Sequence, residues 1–120
     1  MIKRRLTAFR FAFRGLALTF SEQVNFRIHI IISILVILSG VWVQLSSIEW
    51  CILLICIGSV MAAELFNSSI EQHVNATHPQ WNDAAGKTKD IAAAAVLIVS
   101  IFAAMIGLII FIPRILERLN

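Results

Sequence analysis

Apolar positions fall into three long runs separated by short polar breaks, and the first twenty residues follow a different pattern. There, Lys3, Arg4, Arg5, Arg10 and Arg14 are interleaved with Leu6, Phe9, Phe11, Phe13, Leu16, Leu18 and Phe20. Lys3, Arg10 and Arg14 are spaced by seven and four, which puts them on one face of a helix. This predicts a basic amphipathic helix over 1–20, lying on a membrane surface. Arg10 and Arg14 interrupt any apolar stretch that could serve as a signal peptide. A polar hinge, Ser21 to Arg27, follows.

The runs over 28–45, 48–66 and 91–112 are each predicted to be transmembrane helices. The first has His29 as its only ionisable residue and Trp42 near its far end, where an interfacial aromatic belongs. The charge-free part of the second, Trp50 to Ala63, is 14 residues. At about 1.5 Å per residue it covers about 21 Å, short of a hydrocarbon core of about 30 Å. Glu64 therefore falls at or just inside the opposite membrane border, with the helix continuing towards His73. The third run carries no charge from Ile91 to Pro113, and its start, Ala92 to Ala95, permits close helix contact. Between the last two runs lies a polar segment, 74–89, where His78-Pro79 signals a turn; it is predicted to be a loop.

Composition sharpens this outline. The chain has 120 residues, 59% of them apolar, with a mean hydropathy of +0.87. That excess disfavours a water-soluble core and leaves room for three spans and little else in one domain. The fold class is an all-α membrane protein. The net charge of +3 matters less than its placement, and no nucleic-acid partner is expected. Eight Lys and Arg fall in the N-terminal region, the hinge and the 74–89 segment, against Arg114 and Arg118 at the other end. The bias puts the N-terminus and that segment in the cytoplasm. Cys51 and Cys56 are five apart within an apolar run, point to different helix faces, and are expected to be buried thiols.

The chemistry concentrates at the end of the second run. Glu64, Asn67 and Glu71 are spaced by three and four and form one polar stripe on a helix. Glu64 and Glu71 are about 10 Å apart along the axis, too far to chelate one ion side by side. Lys89 and Asp90 start the third run at the same membrane border. Carboxylates, a carboxamide and a lysine at this depth suit a magnesium-bound phosphate and a lipid hydroxyl. The ordinary alternative is a solvated helix end. Gly86-Lys87-Thr88 imitates the end of a phosphate-binding P-loop, but the required earlier glycine is Trp81 and no strand precedes it. His29 is expected to cap or hydrogen-bond at a span end; His73 and His78 are expected to face water.

Glu64-Leu65-Phe66-Asn67-Ser68-Ser69-Ile70-Glu71, followed by Lys89-Asp90 and then Ala92 to Val96, resembles the signature of the small bacterial integral-membrane diacylglycerol kinases, a family that includes undecaprenol kinases. The resemblance extends through Phe13-Arg14-Gly15-Leu16 and Asn25-Phe26-Arg27-Ile28-His29. It implies a surface helix plus three spans, a homotrimer with active sites shared between subunits, and a place in the bacterial cytoplasmic (inner) membrane. It implies ATP as phosphate donor, Mg²⁺, and a membrane lipid as acceptor, either diacylglycerol, giving phosphatidic acid, or undecaprenol. Glu64 matches the catalytic base, Asn67 a residue orienting nucleotide or base, and Glu71 a Mg²⁺ ligand. Lys89 and Asp90 match nucleotide-binding positions, and Arg4 a nucleotide-side arginine of the surface helix.

There are two departures. Where the family has a second metal-binding glutamate this chain has Gln23, with Glu22 one place earlier; either could complete the metal site. Where the family usually has an aspartate four residues after Glu71 this chain has Asn75. A catalytically weak or inactive family member is therefore one alternative. A small oligomeric channel or carrier with Glu64 as a proton relay is another.

Overall fold

A computed structural model describes the backbone from Ile2 and the side chains from Leu6 onward. It contains four α-helices: α1 Ile2–Glu22, α2 Val24–Trp42, α3 Ser47–Thr77 and α4 Asp83–Leu119. The last three are long and apolar enough to cross a membrane. Their apolar side chains point largely outward: Leu35, Ile55, Phe66 and Ile109 are 58%, 69%, 72% and 71% exposed. In water such a surface would collapse or aggregate. Lipid tails are as apolar as leucine, so in a bilayer it costs nothing. The chain is an all-helical membrane protein.

A single residue separates α1 from α2. Gln23 adopts extended geometry, and its side chain makes no cap to α2. Its backbone amide still bonds to the Thr19 carbonyl at 2.8 Å, so the chain turns without losing its hydrogen-bond ladder. Among the described side chains α1 buries only Thr19.

The turn from α2 to α3 is built tightly. Leu45 N–H reaches the Gly40 carbonyl and Gln44 N–H the Val41 carbonyl, both at 3.2 Å, which is a Schellman closure. The closure needs a left-handed residue, and Gln44 takes it at φ 56°. Left-handed backbone strains a residue bearing a Cβ. Gln44→Gly is therefore expected to stabilise the α2–α3 hairpin by about 1 kcal/mol, measured as a rise in the thermal midpoint in detergent. Gly40 has a different reason to be glycine. A Cβ there would lie 2.9 Å from Trp50 Cη2 and 3.0 Å from Leu45 Cδ1. Leu45 belongs to the packed cluster of Val43, Leu53 and Ile110, against which Trp50 rests, so neither neighbour can yield freely. Gly40→Val is expected to cost about 1–3 kcal/mol by overpacking, seen as a lower midpoint in the same assay.

Ser46 then starts α3 with a capping box: Glu49 N–H donates to the Ser46 hydroxyl, and Ser46 N–H donates to Glu49 Oε2 at 2.7 Å. Glu49 also takes Arg114 of α4 in a two-pronged ion pair, at 3.0 Å from Nε and 2.8 Å from Nη2. The Arg118 guanidinium lies 5.9 Å from the centre of the Trp42 ring. These contacts pin α2, α3 and α4 together at the end far from the acidic stripe.

At the opposite end, α3 runs on to Thr77 and α4 begins at Asp83, so most of the polar 74–89 segment is helical rather than loop. Asn82 caps α4 by accepting from the amides of Ala84 and Ala85. Trp81 lies over Gly86, where a Cβ would come within 3.3 Å of the ring. Pro113 sits inside α4, which continues to Leu119. With 31 and 37 residues, α3 and α4 reach about 46 and 55 Å at 1.5 Å per residue. Both exceed a hydrocarbon core of about 30 Å and project beyond it.

Candidate functional site

The polar stripe of α3 is buried. Glu64 is 2% exposed, Asn67 6% and Ser68 2%, in a chain that buries few side chains at all. Steps of three and four keep Glu64 in line with both Asn67 and Ser68. Beyond them the stripe divides. Asn67 leads to Glu71, whose Oε1 accepts from the Asn67 amide at 3.3 Å. Ser68 leads to Gln72, which donates to Glu22 Oε2 of α1 at 3.0 Å.

Neither Glu64 oxygen has a hydrogen-bond partner among the described residues, and the Asn67 Oδ1 and Ser68 Oγ atoms are also buried and unpartnered. Buried polar groups are normally satisfied. Two neglected ones side by side, Asn67 Oδ1 and Ser68 Oγ, one turn from the buried Glu64, mark a place built for something other than stability. His29 of α2 lines the groove between α2, α3 and α4, next to Val60 one turn before Glu64. From sequence, His29 is expected to cap or hydrogen-bond at a span end. The one available signal was that it is the only ionisable residue within its apolar run.

The residues flagged from sequence come together only in part. Lys89 of α4 is at the same end and donates to Asn75 Oδ1 of α3 at 2.8 Å, so the position that departs from aspartate holds the lysine directly. Asp90 is next to it on the exposed side of α4. Glu22 is held by Gln72, whereas Gln23 makes only backbone bonds at the α1–α2 break. The Arg4 side chain lies outside the described residues.

No group of three histidine, cysteine or acidic side chains is gathered among the described residues. Magnesium asks for less. It keeps much of its shell as water and phosphate oxygen and takes one or two protein carboxylates. Glu71, with the unpartnered Asn67 Oδ1 beside it, fits that smaller demand. The arrangement thus offers a buried carboxylate free to take a proton, an acid–amide pair suited to a phosphate-bound cation, and a lysine at the aqueous edge.

The sequence profile described as prokaryotic diacylglycerol kinase matches residues 10–111. The chain belongs to the prokaryotic diacylglycerol kinase family. It is 34% identical over 113 residues to the undecaprenol kinase of Bacillus subtilis, covering 94% of this chain and 92% of that protein. It is 35% identical over 113 residues to a diacylglycerol kinase of Synechocystis, covering 93% of this chain and 65% of that protein. The Escherichia coli K12 diacylglycerol kinase is 28% identical over 100 residues, covering 83% of this chain and 82% of that protein. The family makes the chain a lipid kinase, a transferase that uses a nucleotide phosphate donor and acts on a lipid. The identities to the Bacillus and Synechocystis proteins are nearly equal and do not choose between their two acceptors.

Proposed function

We propose that this lipid kinase transfers the γ-phosphate of ATP to the hydroxyl of a membrane lipid alcohol, diacylglycerol or undecaprenol. The buried Glu64 carboxylate, with no hydrogen bond to either oxygen among the described residues, carries the reading. A general base needs a free lone pair, and no hydrogen bond occupies the Glu64 carboxylate among the described residues. Glu64 takes the proton of the lipid hydroxyl as its oxygen attacks the γ-phosphorus. The bond from that phosphorus to the bridging oxygen breaks, and ADP leaves.

Asn67 orients the reacting groups and, through its amide, Glu71. Glu71 and the Asn67 carbonyl oxygen would hold magnesium, which when bound screens the phosphate charges. Glu22 or Gln23 would complete that shell from the α1–α2 break. Lys89 and Asp90 bind the nucleotide at the aqueous edge, together with Arg4. On this reading α1 lies on the membrane surface as a basic helix, the apolar parts of α2, α3 and α4 cross the bacterial inner membrane, and the N-terminus is cytoplasmic. The working unit is a homotrimer, in which neighbouring copies cover part of the exposed apolar surface and share the active sites.

The test is transfer of labelled γ-phosphate from Mg-ATP to each lipid in mixed micelles. Labelling of one or both lipids is expected. Background labelling of both, with purified and folded protein, would overturn the proposal and leave an inactive family member. Proton flux in liposomes without ATP would favour a carrier instead.

A further inference from the structure

The last residue of α1 is Glu22, the acid of a helix that otherwise carries Lys3, Arg4, Arg5, Arg10 and Arg14. A carboxylate at the C-terminal end of a helix faces the negative pole of its dipole. The charge therefore works against α1 itself, and its benefit to the fold comes from elsewhere. Glu22 Oε2 accepts from Gln72 Nε2 of α3 at 3.0 Å, a bond between residues 50 apart in the chain. Chemistry fixes the direction of that bond. A carboxylate only accepts, so the amide nitrogen of Gln72 must face it.

Packing does little to set the direction of α1. Its junction with α2 is the single residue Gln23, which gives α2 no side-chain cap. The bond from the Arg27 amide to the Gln23 carbonyl, at the start of α2, is long at 3.4 Å. Thr19 is the buried side chain of α1 among the described residues, and its hydroxyl is spent within the helix, on the Gly15 carbonyl at 2.9 Å. A half-open space of about 550 Å³ lies between the stretch from Ala12 to Thr19 and the stretch of α3 from Leu65 to Gln72. The two helices are thus not packed tightly along this length, and rotation at Gln23 can change the angle between them. The Gln72–Glu22 bond joins them one residue from that hinge.

Resting on the lipid-kinase reading above, we propose that Gln72 is a positioning residue for the nucleotide half of the reaction: by holding Glu22 it fixes the angle of α1 at the Gln23 hinge, and with it the cations that α1 brings to the phosphates. Leverage gives the bond its effect. Arg4, assigned to the nucleotide on that reading, is eighteen residues before Glu22. That is about 27 Å along a helix, so a tilt of about 10° at the hinge moves the position by about 5 Å. A shift of that size is longer than a hydrogen bond, and alignment of reacting groups is lost over much smaller ones. Glu64 is not on this lever. It belongs to α3, as does Gln72, so the acceptor hydroxyl keeps its base whatever the angle of α1.

Substitutions at Gln72 grade the bond without altering a residue assigned to the chemistry. Gln72→Met keeps the length and loses the donor, Gln72→Glu sets two carboxylates against each other, and Gln72→Lys keeps a donor and adds the opposite charge. In labelled transfer from Mg-ATP to lipid in mixed micelles, KM for Mg-ATP is expected to rise about tenfold in Gln72→Met and further in Gln72→Glu. Gln72→Lys should stay within about threefold of the parent, and kcat and KM for the lipid should stay within about twofold in all three. Backbone hydrogen exchange without nucleotide reads the hinge directly. Amides from Leu18 to Phe26 are expected to exchange about tenfold faster in Gln72→Met and Gln72→Glu than in the parent or Gln72→Lys. An unchanged KM for Mg-ATP in Gln72→Met, in protein that phosphorylates lipid, would overturn the positioning role and leave the kinase reading intact. A fall in kcat with a lower thermal midpoint and an unmoved KM would mark a merely structural Gln72 and overturn it as well. Equal exchange in all four proteins would overturn it whether or not any lipid is phosphorylated.

Discussion

Replacing Glu64 with Gln is expected to lower phosphoryl transfer by roughly 100- to 10,000-fold, the range general-base catalysis supplies. The amide matches the carboxylate in shape and cannot take a proton. KM for ATP should move little, because the proposed reading gives Glu64 the lipid hydroxyl and Lys89 the nucleotide. Stability separates a chemical loss from a structural one. Glu64 is 2% exposed and has no hydrogen-bond partner among the described residues, so its charge is a burden on the fold. Removing a buried unpaired charge relieves desolvation. Glu64→Gln should therefore melt at the same temperature as the parent or higher while losing its activity. An inactive variant with a much lower midpoint would point to a structural Glu64, and a fully active one would remove it from the chemistry.

That combination of burial and missing partners was invisible in the sequence, although the stripe itself was not. Periodicity alone put Glu64, Asn67 and Glu71 on one face, because a helix fixes which residues align whatever surrounds it. Periodicity is silent on the neighbouring helices. Ser68 and Gln72 share Glu64's line as well, and only the position of α1 turns Gln72 towards Glu22.

The three apolar helices were legible because their solvent is lipid, and hydropathy reports that solvent directly. Their ends were less so. Residues 74–89 read as a loop from their polarity, yet a helix beyond the membrane needs only helix-compatible residues and a cap. Asp83-Ala84-Ala85-Gly86-Lys87-Thr88-Lys89 with Asn82 ahead of it meets that condition. Pro113 read as the last residue of its run, but proline removes one amide and displaces one carbonyl, a local loss that α4 absorbs on its way to Leu119. The Glu49–Arg114 pair joins residues 65 apart. No local pattern announces it, though it ties α3 to α4 at the end far from the acidic stripe.

Glu71→Gln should be the second most damaging change, with a different signature. The substitution keeps an oxygen able to accept from the Asn67 amide, so the 3.3 Å contact and the local fold should survive. What goes is the negative charge. Gln23 and Asn75, the residues nearest in role on the proposed reading, are uncharged and cannot compensate. A hard divalent cation depends on such charge more than on oxygen count. The variant is expected to need at least roughly tenfold more Mg²⁺ for half-maximal rate, and to lose about 100-fold in kcat/KM for Mg-ATP at fixed metal. KM for the lipid should stay within about twofold, because the hydroxyl is handled one turn or more away, at Glu64. Magnesium titration of labelled transfer at saturating lipid separates these outcomes. A Glu71→Gln protein with the parent's magnesium dependence would move the metal to Glu22, whose carboxylate is tied to this end of α3 through Gln72. Where Glu71→Gln does weaken the magnesium response, the paired variant Glu71→Gln with Gln23→Glu tests where the cation sits. Recovery of the magnesium response in the double variant fits a cation held between α3 and the α1–α2 break, where a single added charge at Gln23 can replace the one lost from Glu71.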